Sequence, residues 1–106
     1  MTIIADKPSY VRGPVTEFDN DHFVEWPQYK GDAEPGASGG ILWHRKSDGD
    51  DGWCCGSFWF RDPPFQHAHQ VDKWTLNSRE PLDLSPSFLC WCGHHGFIHG
   101  GKWVSA

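Results

Sequence analysis

No run of apolar residues in this 106-residue chain approaches the roughly 18 that a transmembrane helix needs, and hydrophobic residues make up only 38%. The opening residues, Met1-Thr-Ile-Ile-Ala-Asp-Lys-Pro8, contain no apolar core of the kind a secretory signal carries, so export by a signal peptide is not expected. Basic residues are scarce: nine Lys and Arg stand against 14 Asp and Glu, a formal net charge of -5. That balance disfavours nucleic acid as a partner, because such binders present a basic face. Helix is nearly absent from the pattern, and a composition rich in glycine and proline argues against a helical bundle. The length leaves room for one core and not two.

Aromatics, glycine and proline are plentiful. Aromatic residues make up 15% of the chain, with seven Trp, and Gly and Pro together number 20 (12 and 8), well above the roughly 12% of average usage. A disordered chain would lack those aromatics. The combination predicts a mostly β fold: a small antiparallel domain of short strands joined by tight turns.

Composition shifts near residue 40. Residues 1–40 hold seven acids, four of the eight prolines and no cysteine. The stretch Gly31-Asp-Ala-Glu-Pro-Gly-Ala-Ser-Gly-Gly40 has the composition of a flexible connector. Residues 1–40 therefore read as an acidic, irregular N-terminal arm, with a strand or two lying on the core as the alternative. Residues 41–106 read as the compact Trp-rich domain. Strands are expected at Ile41–Trp43, at Trp53–Phe60 as a central strand covered on both sides, near Trp74–Leu76, and at Phe88–Trp91. A turn-rich segment is expected over Asn77–Pro86. Phe97-Ile-His99, Gly100-Gly101 and Lys102-Trp-Val104 form a hairpin pattern, since a type I′ turn needs positive φ at both central residues.

The cysteines carry the most chemistry. Cys54 and Cys55 are adjacent, an awkward arrangement for two long-range disulfides, and no export signal points to an oxidising compartment. In Cys90-Trp-Cys92-Gly-His-His95, Cys92 and His95 have the spacing of a metal knuckle, with Gly93 permitting the reversal. Zinc takes about four N or S ligands in a tetrahedron, so a second half-site is needed. Neighbouring residues of a strand point to opposite faces, so one of Cys54 and Cys55 is expected to ligate. Cys55, followed by Gly56, is the expected ligand, with His44 as the fourth; Cys54, Cys90 or His94 could replace His44. His67 and His69 share one side of an extended segment and would suit a metal hydrolase, but read more simply as solvated loop residues. Asp48-Gly-Asp-Asp-Gly52 fails the register of a calcium loop. Among the tryptophans, Trp26 and Trp103 are the expected exposed members of a partner-binding patch.

Trp74-Thr-Leu-Asn77, Arg79-Glu-Pro81, Leu84-Ser-Pro-Ser87, Cys92-Gly-His-His95-Gly-Phe-Ile98 and Gly100-Gly-Lys-Trp103 follow one another in order. This series resembles a family of uncharacterised small proteins of bacteriophages and prophages over about residues 41–104. The resemblance implies zinc binding, with Cys92 and His95 matching the downstream half-site and Cys55-Gly56 the upstream one. His44 stands where members of that family carry a cysteine. It also implies a viral protein found in the virion or the host cytoplasm. A structural zinc with all four positions filled by protein leaves no open position for a substrate. The expectation is therefore a non-enzymatic protein-binding module: a virion-associated accessory component, or alternatively an early inhibitor of a host enzyme or defence system. Its partner would be a virion subunit or a host protein.

Overall fold

The computed structural model describes residues 7–46, 52–62 and 71–106. Eight strands occur in chain order, and no helix is found among the described residues: β1 (Val15–Glu17), β2 (His22–Glu25), β3 (Gly39–Arg45), β4 (Trp53–Trp59), β5 (Thr75–Arg79), β6 (Leu82–Leu89), β7 (His95–His99) and β8 (Lys102–Ser105). They form two antiparallel four-stranded sheets in sequential order, β1-β2-β3-β4 and β5-β6-β7-β8. The mostly β architecture expected from composition is the one present.

Alternation along the strands sorts residues between core and surface. Val24, Leu42 and Phe58 on one face of the first sheet meet Leu82, Leu84, Phe88 and Ile98 of the second in a single buried cluster, with Trp26 beside them. The opposite face of the first sheet is covered separately. There Phe23 and Trp43 are buried beneath Val11, Val15, Ile41 and Trp53.

Residues 1–40 are not an arm appended to a finished domain. β2 lies between β1 and β3, and β3 itself starts at Gly39, so a division at residue 40 falls inside a strand. Glu25, 4% exposed, ties the preceding segment down. Its carboxylate accepts hydrogen bonds from Arg12 N–H (2.7 Å), Gly13 N–H (3.0 Å) and the Trp43 indole (3.1 Å). The expected flexible connector is likewise an organised loop. Buried Asp32 accepts from the Ser38 hydroxyl (2.6 Å), Tyr29 N–H (2.9 Å) and Arg61 (2.6 Å).

Three further expectations are corrected. Among the described residues β4 is the edge strand of its sheet, with β3 as its one full strand neighbour and Cys55, Gly56 and Ser57 exposed. The segment expected to be turn-rich, Asn77–Pro86, instead forms most of β5 and β6, where pairing with neighbouring strands overrides local turn propensity. Trp26 is buried at 7% exposure and donates to Thr16 Oγ1 at 2.9 Å. The C-terminal hairpin matches its pattern: His99 pairs with Lys102, and Gly100 and Gly101 have φ of 56° and 78°.

Candidate metal centre

The inner face of the first sheet carries a polar row at one end. Register places His22 opposite His44 and His44 opposite Cys54, so three strands present these side chains side by side. The second sheet supplies the rest from the reversal between β6 and β7. Gly93 N–H donates to Cys90 O, and Cys90 N–H donates to His94 O, each at 2.8 Å. Gly93 sits at φ 94°, a backbone conformation that side-chain-bearing residues avoid, and this closes the reversal. Cys90, Cys92 and His94 are thereby carried over the row on the first sheet.

His44, Cys54, Cys90 and Cys92 converge, with one donor atom from each lying within 4.8 Å of all the others. Cys54 Sγ and Cys90 Sγ are 3.3 Å apart, and Cys92 Sγ lies 3.5 Å from His44 Nε2. Tetrahedral bonds of about 2.3 Å to sulfur and 2.0 Å to nitrogen imply edges of roughly 3.5–3.8 Å. The two short separations match those edges, and the group as a whole could hold one metal ion. His44 Nδ1 donates to the Arg45 carbonyl at 2.9 Å, which fixes the tautomer and leaves the Nε2 lone pair for a cation.

The electrostatics suit the same use. Burial, then the neighbouring Cys90 and Cys92 thiols, push Cys54 up to about 12. Burial also opposes ionisation of Cys92, but hydrogen bonds from His94 N–H and from the Cys90 and Cys54 thiols outweigh it and hold Cys92 below the ordinary thiol range. Burial lowers His44 and keeps its imidazole neutral, as a metal ligand must be. Three converging thiols resist ionising together, and a bound cation removes that resistance.

Of the ligands expected from sequence, His44 and Cys92 lie in this group, and the alternates Cys54 and Cys90 complete it. Cys55 and His95 do not. Cys55 pairs with Trp43 and so points to the opposite face of the sheet, exposed to solvent. His95 begins β7, is exposed, and shares a 3.1 Å hydrogen bond with Ser87 Oγ. The correction is one of parity: the ligand on β4 lies on the face of Phe58, not on that of Trp53 and Trp59.

His22, His94 and Trp103 were not foreseen as a unit. Their rings stack around the cluster, with centroids 4.6 Å apart for His22 and Trp103, 5.0 Å for His94 and Trp103, and 4.3 Å for His44 and His94. His22 and His94 share a 2.8 Å hydrogen bond through their Nε2 atoms, and Asp19 holds His22 Nδ1 at 2.9 Å. Trp103 is therefore half-buried in this stack and not an open surface anchor; Trp91, 83% exposed, is the tryptophan that faces solvent. His67, His69 and residues 48–51 of the acidic loop lie outside the described residues.

Comparison with protein-family models, with curated proteins and with solved structures finds no match to this chain. No helix among the described residues is long and apolar enough to cross a membrane.

Proposed function

We propose that this protein is a non-enzymatic protein-binding domain whose two sheets are joined by one structural zinc, held by His44, Cys54, Cys90 and Cys92. The single observation behind this reading is the convergence of one imidazole and three thiols from two different sheets. Three soft thiolates and an imidazole favour zinc over the hard, oxygen-seeking divalent ions. Four protein donors complete the tetrahedron and leave no position for a substrate or an activated water, which favours a structural role over catalysis. The resemblance of the series from Trp74 to Trp103 to the phage and prophage family adds to this proposal a viral accessory component docked on another protein.

Such a metal contributes directly to folding, on the order of 10 kcal/mol in small zinc domains. That is comparable to the whole stability of a domain of this size. Elemental analysis of purified native protein should therefore return one zinc per chain. Strong chelation should lower the thermal midpoint sharply. Metal-free protein with an unchanged midpoint would overturn the staple.

A further inference from the structure

The four donors of the cluster fall into two contacting pairs. Cys54 Sγ meets Cys90 Sγ at 3.3 Å, and Cys92 Sγ meets His44 Nε2 at 3.5 Å. Cys54 and Cys90 are free thiols whose sulfurs are already turned toward each other. A disulfide bond measures about 2.0 Å, so the pair has about 1 Å left to close. Other pairings are poorer. Cys55 is paired with Trp43 and lies on the opposite face of β4. Cys90 and Cys92 flank Trp91 on a single reversal, so a bond between them would tie that turn only to itself. A bond between Cys54 and Cys90 joins β4 of the first sheet to the residue that follows β6 in the second, 36 positions along the chain. It spans the same two sheets as the metal.

A small oxidant can reach this pair. Cys90 and His44 line a cavity of about 190 Å³, whose walls include Trp91 and Leu89, exposed at 83% and 69%. A water occupies only about 10–15 Å³ of such a volume, so a hydroperoxide has room beside Cys90. Cys54 is shielded, at 4% exposure.

We infer that Cys54 and Cys90 form a reversible disulfide when a hydroperoxide reaches the cluster, exchanging the metal staple for a covalent one. This inference rests on the structural-zinc reading above and names how that site is regulated. A thiol that coordinates a metal is deprotonated, so both sulfurs are nucleophiles in the loaded protein. The Cys90 thiolate attacks one peroxide oxygen and the O–O bond breaks, which gives a sulfenic acid and hydroxide. The Cys54 thiolate then attacks that sulfur; the S–S bond forms, the S–O bond breaks, and a second hydroxide leaves. Two thiolates have lost two electrons, hydrogen peroxide has gained them, and protons from solvent convert both hydroxides to water. His44 and Cys92 remain, half of the donors that a structural zinc needs, so the ion is released. A thiol reductant with added zinc restores the first state.

The test treats the zinc-loaded full chain with hydrogen peroxide. Zinc release is followed with a colorimetric chelator, disulfides by non-reducing peptide mass mapping, and stability by the thermal midpoint. One zinc should leave for each Cys54–Cys90 bond formed, and dithiothreitol with added zinc should reverse both changes. The oxidised chain should melt roughly 10 °C above the reduced, chelated chain, because the bond constrains the unfolded state. Cys55→Ser should behave as the parent. Cys92→Ser keeps both partner sulfurs and should still form the bond; if it does not fold, the parent's map decides. A bond that maps to any other pair, sulfinic acids without a disulfide, or an oxidised chain that melts no higher than the reduced metal-free one would each overturn the inference. Zinc that stays bound through peroxide treatment would overturn it too, with the staple left standing. A chain isolated without zinc would instead remove the staple reading, and the exchange with it.

Discussion

His44 can offer a metal only its Nε2, because Nδ1 is committed to the Arg45 carbonyl. That nitrogen faces three thiols, of which Cys54 is the most buried. Cys54→Ser or Cys90→Ser should accordingly abolish stoichiometric zinc and lower the thermal midpoint by many degrees, since ligand loss removes folding energy. Cys55→Ser and His95→Ala change exposed side chains outside the cluster and should stay within about 0.5 kcal/mol of the parent. Measuring zinc per chain and the midpoint for all four variants checks the assignment, and the reverse ranking would return the site to the Cys-x-x-His spacing. Sequence brought the reading close to this point. His44 and Cys92 were accessible from their positions, and Gly93 from the tight reversal. The choice between Cys54 and Cys55 was a question of parity along one strand. The glycine that follows Cys55 drew the assignment to it, whereas Phe58, 1% exposed, marks the face that is buried in the main core, and Cys54 shares that face.

Elements were legible where their determinants are local. The β7–β8 hairpin needs two short strands and two residues at positive φ, all within a few positions of one another. Gly101 has φ 78° and the Pro81 Cβ lies 3.2 Å from where its own Cβ would stand. Gly101→Ala should therefore cost roughly 1–2 kcal/mol, read from urea unfolding, because an L-residue is strained in that conformation. β6 was illegible for the opposite reason: Ser85-Pro86-Ser87 looks like a turn, and only the strands on either side hold it extended. The loop from Tyr29 to Ser38 has the composition of a linker, yet it closes around one buried carboxylate. Hydrogen bonds from Ser38 and Tyr29, with the Arg61 guanidinium, hold Asp32 below the ordinary carboxylate range despite the opposing effect of burial. A carboxyl lowered on folding stabilises above its unfolded pKa and loses that contribution as pH falls through the folded value. Asp32→Asn should thus be less stable than the parent at neutral pH. The gap should narrow only below the ordinary Asp range, and a gap independent of pH down to strong acid would disprove this role.

At the scale of the whole molecule, two of the fastenings between the sheets among the described residues differ in kind. One is the apolar layer in which Val24, Leu42 and Phe58 meet Leu82, Leu84, Phe88 and Ile98. The other is the cluster at one end, with His44 and Cys54 from the first sheet and Cys90 and Cys92 from the reversal of the second. A chain of this length buries a comparatively small share of its surface, so a metal held by this cluster would compensate for a thin core. The stack of His22, His94 and Trp103 sits on the same end and depends on the same approach of the two sheets. Removing the metal should therefore loosen one end before the other. Three thiols would be left crowded together, with Cys54 pushed up to about 12 and unable to share a counter-charge. Backbone hydrogen exchange on the chelated protein should accelerate first at His22, His44, Cys54 and the Cys90–His95 reversal. Amides around Leu84 and Ile98, both fully buried in the apolar layer, should remain protected longest. Exchange that rises uniformly across both sheets on chelation would mean that the metal and the apolar layer form one cooperative unit. Exchange that does not rise at the reversal would mean that the cysteines do not join the sheets at all.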